Sequence, residues 1–164
     1  MGKVKIIFFD IDGTLIDFSA KNISEKMLET LVRLKKKGVV LCLATGRSPM
    51  ALPKFPGIEF DVFLTYNGSY CFNSEKIIFS NPIPTEDILK LVKNAKKIGR
   101  PVSIATKDCL AANGADQDLI DYFAIAGLKV EIAKNFDKLV QTEVYQIMMG
   151  GRQAEYPHIM EGIK

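Results

Sequence analysis

Cysteine and histidine are scarce in this sequence. There are three cysteines, Cys42, Cys71 and Cys109, and one histidine, His158. An odd, widely spaced set with no C-x-x-C pair argues against a disulfide framework and against a Cys/His zinc site. The expectation is buried reduced thiols in a cytoplasmic protein. Long hydrophobic runs are also lacking, and no stretch approaches the length that spans a bilayer. The apolar run after Lys3 and Lys5 is short and ends in Asp10, which marks a core strand rather than a signal peptide. Nor is charge of one sign concentrated. The net charge is +3, and the lysines are scattered. Lys35-Lys36-Lys37 and Lys96-Lys97 each close an amphipathic segment, where cations favour a helix C-terminus. Neither a nucleic-acid patch nor a membrane partner is expected. Fixed-period repeats and low-complexity tracts are missing too.

What is present is enough apolar material for a packed core. Hydrophobic residues make up 48% of the 164 residues and charged ones 25%, which suits one domain or one domain with a smaller appendage. Val4–Phe9 is a continuous apolar run, as expected of a strand buried on both faces. Ser24 reads as an N-cap with Ile23 and Leu28 as a hydrophobic staple. Met27, Leu28, Leu31, Val32 and Leu34 form a helical stripe that Gly38 ends. Val39–Ala44 is a second buried strand. Strand, helix, strand in this order makes a parallel βαβ unit. Ser48-Pro49 resembles an N-cap followed by proline at the first helical position. Val62–Thr65 reads as a third parallel strand.

The texture then changes. Tyr66-Asn67-Gly68-Ser69 carries a hairpin signal, with antiparallel strands expected at Ser69–Asn73 and Ile77–Ser80. Pro82 and Pro84 mark a linker, so a boundary falls near Asn81 and divides residues 1–80 from 81–164. In the second part Thr85 is expected to cap a helix bearing Ile88, Leu91, Val92, Ala95 and Ile98, with Gly99 after its end. Val102–Ala105 and Val144–Met149 read as strands, and Ala115–Ala126 and Arg152–Ile163 as helices. The fold class is α/β for the first part and α+β, mostly antiparallel, for the second.

The chemistry concentrates in Ile7–Ile16, I-F-F-D-I-D-G-T-L-I. An apolar strand that runs into Asp10 and Asp12 on a glycine turn sets two carboxylates at a carboxyl edge, where open α/β sheets bind ligands. Such a pair beside backbone oxygens is a hard, oxygen-only site suited to Mg²⁺. One carboxylate can attack phosphorus and form an aspartyl phosphate. The other can protonate the leaving oxygen and then take a proton from water. Thr45, with the N–H groups around Gly46, sits on the same edge and can hold phosphate oxygens. A plain Asp-Gly turn is the alternative, but strand, D-x-D-G-T-L, helix, strand and T-G-R together form a specific pattern.

FFDIDGTLID, then LCLATGR, then FLTYNGSY resemble the haloacid dehalogenase (HAD) superfamily of phosphohydrolases. The α+β unit after the third strand is similar to the C2 cap of its Cof-type branch. The resemblance implies a Rossmann-like core with a parallel sheet and a cap. It makes Asp10 the nucleophile and a direct Mg²⁺ ligand, and Asp12 the general acid/base whose main-chain carbonyl also meets the metal. Thr45 would bind the transferring phosphoryl group, and Arg47 and Asn67 would line the mouth near substrate. Simpler roles stand beside these: Thr45 capping a turn, Arg47 in a surface ion pair, Asn67 in a tight turn. Asp17 is assigned a local hydrogen bond.

The resemblance also requires a later lysine and a later strand ending in an acidic motif. Neither is found. Asp116, Asp118 and Asp121 have no apolar strand before them and read as exposed helix residues, and Lys134 and Lys138 are poorly placed. The expectation is an N-terminal portion: part of the core and an incomplete cap, with self-association through an unfinished sheet. The implied activity is Mg²⁺-dependent phosphatase action on a small phosphorylated metabolite, with sugar phosphates the usual class. A half-built site that only binds Mg²⁺ and phosphate weakly, and a phosphomutase, are the alternatives.

Overall fold

The computed structural model describes residues 4–17, 19–20, 22–125 and 127–162. Contacts divide the chain into two units, Met1–Asn81 and Pro82–Lys164.

The first unit is built on a five-stranded sheet. Strand β1 (Ile6–Phe9) leads through helix α1 (Glu25–Lys36) to β2 (Val40–Ala44). Strand β3 (Val62–Thr65) follows, then β4 (Tyr70–Phe72) and β5 (Ile77–Ser80). The strands lie in sequence order. The pairs β1–β2 and β2–β3 are parallel, and the later two are antiparallel. Helix α1 starts where Ser24 Oγ accepts from the Met27 N–H at 3.3 Å, satisfying one of the first-turn amides. Arg33, Lys35 and Lys36 occupy its last turn, where cations meet the negative end of the helix. Its apolar face packs Leu31 into a core with Ile11, Leu15, Val39, Leu41, Leu43, Phe55 and Phe60. Asp61 braces this layer by accepting from the Leu41 N–H at 2.9 Å and pairing with Lys35 at 3.2 Å. The β4–β5 turn is held by Asn73, whose Oδ1 accepts from the amides of Glu75 and Lys76.

One expectation for this unit is corrected. The apolar run of β1 predicts burial on both faces, yet Ile6 and Phe8 are 46% and 54% exposed. Among the described residues β1 is an edge strand that pairs only with β2. One face therefore packs on the core through Ile7 and Phe9, and on the other Ile6 and Phe8 stay exposed.

The second unit begins with helix α2 (Thr85–Lys97), followed by β6 (Ser103–Thr106) and β7 (Leu110–Ala112). Helices α3 (Gln117–Ile125) and α4 (Phe136–Leu139), strand β8 (Val144–Met148) and helix α5 (Tyr156–Gly162) complete it. Strand β6 is central in an antiparallel sheet ordered β7-β6-β8 and is buried along its whole length. Ile88, Ala95, Val102, Ile104, Phe136, Val140 and Val144 form the core, with Ala112, Leu119 and Phe123 as a second cluster.

Several boundaries differ from expectation. Thr85 is the first helical residue of α2 rather than its cap. The cap is Pro84, whose carbonyl accepts from the amides of Asp87 and Ile88. Asp116 starts α3 by accepting from the Leu119 N–H at 2.8 Å, so the helix begins after Ala115, and Ala126 lies outside the described residues. The segment expected as one helix from Arg152 opens with a tight turn at Gln153–Glu155 before α5, and Ile163 lies outside the described residues. Strand β7 and helix α4 are additions. Each is too short to show a period in sequence.

Candidate active site

The parallel register assembles the first unit's carboxyl edge. Phe9 pairs with Leu43, and Leu43 with Phe63. One step beyond these pairs, β1 reaches Asp10 and β2 reaches Ala44 and then Thr45. The chain turns tightly after β1. The amides of Thr14, Leu15 and Ile16 all reach the Ile11 carbonyl, at 3.4, 3.1 and 2.9 Å. Gly13 takes φ 79° and donates to the Ile16 carbonyl at 2.8 Å, a backbone geometry that a residue with Cβ adopts at a cost. Ile11 is fully buried and Leu15 nearly so. These two apolar anchors hold the turn, and Asp10 and Asp12 stay exposed on either side of Ile11.

Asp12 and Arg47 meet in a two-point ion pair. Arg47 Nε donates to Asp12 Oδ2 at 2.9 Å and Nη2 donates to Oδ1 at 2.5 Å. The remaining arm, Nη1, donates to the Ala51 carbonyl at 3.1 Å. Such fork-to-fork pairing fixes both partners in orientation. The Asp12 carboxylate, with a smaller contribution from the charge of Asp10, raises the Arg47 pKa above its ordinary value, against the opposing effect of burial. Arg47 was expected at the mouth of the site. In the structure its guanidinium is engaged by Asp12. The ion-pair alternative therefore describes its present contacts, with a partner inside the motif. Opposite charges at the ends of adjacent parallel strands were the available signal.

Thr45 is 5% exposed. Its Oγ1 accepts from the Arg47 N–H at 3.1 Å, which leaves the hydroxyl proton to donate. Asn67 lies beside Gly46: a Cβ built on Gly46 would stand 3.1 Å from Asn67 Oδ1. The Asn67 N–H donates to the Thr45 carbonyl at 3.0 Å, and the Tyr66 N–H to the Arg47 carbonyl at 3.1 Å. Thr45, Gly46, Arg47 and Asn67 thus form one interlocked group, joined to Asp12 through Arg47. Tyr66, a contributor that sequence reasoning missed, carries no polar motif signal of its own. Asp17 makes local contacts: its Oδ1 accepts from the Ser19 hydroxyl at 2.6 Å and the Ser19 amide at 2.8 Å. Those bonds hold its pKa below the ordinary carboxylate value.

A carboxylate such as that of Asp10 and backbone carbonyls are hard oxygens of the kind that could hold Mg²⁺. Among the described residues no group of three His, Cys, Asp or Glu side chains is placed to hold a metal ion. Cys42 and Cys71 are buried, free thiols whose pKa values burial raises.

The acidic group of the second unit corrects the sequence reading. Strand β7 does precede it. Asp118 is only 12% exposed at its side chain, held by Arg100 at 2.6 Å and by Arg152 at 2.9 Å. Arg100 also reaches Asp116 at 3.3 Å and Glu155 at 2.7 Å. Asp116 and Asp118 thus belong to a charge network joining the start of α3 to the turn before α5, whereas Asp121, at 56% exposure, lies on an exposed helix face as expected.

A sheet whose first three strands run parallel, with paired carboxylates just past the carboxyl end of the first, defines an α/β protein with its polar residues at the edge where such sheets bind ligands. Comparison with known proteins supplies the family. The profile of haloacid dehalogenase-like hydrolases matches residues 7–164, and the chain belongs to that family. It is 32% identical over 147 residues to YkrA of Bacillus subtilis (strain 168), a protein that carries a phosphatase name, covering 88% of this chain and 56% of YkrA. Its fold matches BT1666 from Bacteroides thetaiotaomicron, a phosphatase of the same superfamily, with a TM-score of 0.83 at 19% identity, covering 96% of this chain and 60% of the other. It is also similar to the subclass IIB sugar phosphatase BT4131, with a TM-score of 0.76 at 26% identity, covering 98% and 64%. The chain thus spans somewhat more than half the length of these proteins. Among the described residues no helix is long and apolar enough to cross a membrane.

Proposed function

We propose that the protein is a Mg²⁺-dependent phosphatase of small phosphorylated metabolites, acting through an aspartyl phosphate on Asp10. The observation that carries this reading is the gathering of Asp10, Asp12, Thr45, Gly46 and Arg47 on one sheet edge by the β1–β2 register. The phosphatase names of its relatives support the reaction class. The sugar phosphatase among them favours sugar phosphates as substrates.

In this reading an Asp10 carboxylate oxygen attacks phosphorus, and the bond from phosphorus to the leaving oxygen breaks. Asp12, released from Arg47 and protonated from solvent, gives that oxygen its proton. Asp12 then takes a proton from water, which attacks the phosphorus, breaks its bond to Asp10 and frees phosphate. The Thr45 hydroxyl and the amides around Gly46 hold phosphoryl oxygens. Arg47 keeps the Asp12 carboxylate oriented until substrate arrives. Asn67 stands at the rim, where the substrate's leaving group passes. The Asp10 carboxylate and the Asp12 carbonyl would hold Mg²⁺, which would supply charge that screens the carboxylates and polarises the phosphoryl group. Residues 82–164 serve as part of a C2-type cap. The exposed edge and apolar face of β1 favour self-association of the chain.

A second reading follows from the metal donors. With no third acidic ligand grouped among the described residues, the chain by itself would bind Mg²⁺ and phosphate weakly without turnover. Phosphate release from an aryl phosphate, with and without Mg²⁺, separates the two. Release that requires Mg²⁺ and Asp10 supports the enzyme, and binding without release supports the half-built site.

A further inference from the structure

Three consecutive residues between β3 and β4 hold left-handed backbone: Tyr66, Asn67 and Gly68, at φ 51°, 56° and 91°. Glycine adopts this region freely and asparagine tolerates it. Tyr66 is bulky and 3% exposed, and for such a residue a positive φ is an outlier. A strained backbone persists only where its surroundings over-determine it, and it concentrates at functional positions.

The surroundings do so here. Thr65 is fully buried and donates its hydroxyl to the Tyr70 carbonyl at 2.9 Å. The Cys71 thiol donates to the Gly68 carbonyl at 3.3 Å, and the Ser69 amide to the Tyr66 carbonyl at 3.1 Å. Held from that side, the turn sends two amides back across the sheet edge. The Tyr66 N–H reaches the Arg47 carbonyl and the Asn67 N–H reaches the Thr45 carbonyl, at 3.1 and 3.0 Å. The residue between those two carbonyls is Gly46, packed so close to the Asn67 carboxamide that a Cβ there would lie 3.1 Å from Oδ1. The same loop carries Arg47 onto Asp12. Reversing φ at Tyr66 re-aims the peptide that carries the Asn67 N–H, and reversing φ at Asn67 swings its carboxamide away from Gly46, so either change loosens the hold on Thr45-Gly46-Arg47.

We propose that the left-handed turn is a clamp, and that Tyr66 and Asn67 are positioning residues that fix Thr45-Gly46-Arg47 in the conformation that seats Arg47 on Asp12. The role in catalysis rests on the reading of that loop as the phosphoryl site. The clamp itself is tested without it.

Asn67→Ala forces a residue with Cβ and no polar side chain into the left-handed region, whereas Asn67→Gly keeps that region freely accessible. In ¹⁵N NMR of the whole chain the readouts are the Arg47 Nε–H resonance and hydrogen exchange at the Tyr66 amide. The α1 amides serve as the internal reference. The clamp predicts that Asn67→Gly retains the Arg47 resonance. Asn67→Ala loses it and exchanges about tenfold faster at Tyr66, in line with the cost of a Cβ in that region, while the α1 amides hold their rates. It also predicts weaker binding of inorganic phosphate to Asn67→Ala than to Asn67→Gly. Matching Arg47 signals and Tyr66 rates in the two variants would overturn the clamp. So would α1 amides that speed up in step, which marks a merely structural role. A wild-type chain that binds no phosphate would remove the phosphoryl-site reading alone, and the NMR comparison would still decide the clamp.

Discussion

At the scale of single residues, orientation and stability separate cleanly. The Arg47–Asp12 pair is well aligned but partly exposed, at 36% and 44% of the two side chains. Exposed ion pairs contribute about 0–1 kcal/mol, so Arg47→Ala should alter unfolding free energy by no more than ~1 kcal/mol. Its effect on turnover should be larger, because Asp12 then lacks the partner that aims it. Urea unfolding beside steady-state phosphate release checks both halves, and a large stability loss with unchanged turnover would reverse the assignment. Asp118 behaves differently. Arg100 above all, helped by Arg152, holds its pKa below the ordinary carboxylate value against the opposing effect of burial. A depressed folded-state pKa contributes stability that is present above the unfolded-state pKa and lost as pH falls through the folded one. The loss should therefore appear below about pH 4, the ordinary carboxylate range. Asp118→Asn should lower stability at pH 7 and flatten the acid limb in urea titrations at a series of pH values. An unchanged acid limb would show that the network carries no such linkage.

At the scale of elements, close approach decides where change is tolerated. Gly150 follows β8 and passes the start of α3 so tightly that a Cβ would fall 2.2 Å from Leu119 N and 2.3 Å from the Asp118 carbonyl carbon. Backbone cannot yield as a side-chain tip does, so Gly150→Ala should destabilise the second unit by at least ~1–3 kcal/mol, the range of overpacking. Thermal unfolding that matches wild type would contradict this. Which elements were legible in sequence follows from the same physics. Helix α1 and strands β1 to β3 announced themselves through period, cap and apolar run, and those signals are local. The site edge was legible because parallel pairing brings strand ends together, and Asp10, Asp12 and Thr45 fall where that pairing requires. The engagement of Arg47 by Asp12 was legible only as opposite charges at neighbouring strand ends, since the two-point contact joins residues 35 apart in sequence. Tyr66 was hidden too, because left-handed backbone at a tyrosine leaves no trace in composition. The cap at Pro84 was missed because a carbonyl alone, with no side-chain oxygen, starts the helix. Asp118 read as a surface residue because its partners, Arg100 and Arg152, come from other segments.

At the scale of the whole chain, the two units carry different parts of the account. The first holds the proposed chemistry. The second holds a small buried sheet and a charge network. The edge strand β1, with Ile6 and Phe8 exposed, should drive association, since unpaired strand edges with apolar side chains recruit further strands. Light scattering over a wide concentration range should show a rising average mass, and a constant monomer mass would contradict that. The proposed chemistry turns on Asp10 receiving the phosphoryl group. Its most direct measurement is phosphate release from an aryl phosphate by this chain with Mg²⁺, run beside Asp10→Asn. A phosphoryl group carried on Asp10 predicts Mg²⁺-dependent release that the substitution abolishes. Release that survives in Asp10→Asn would contradict it.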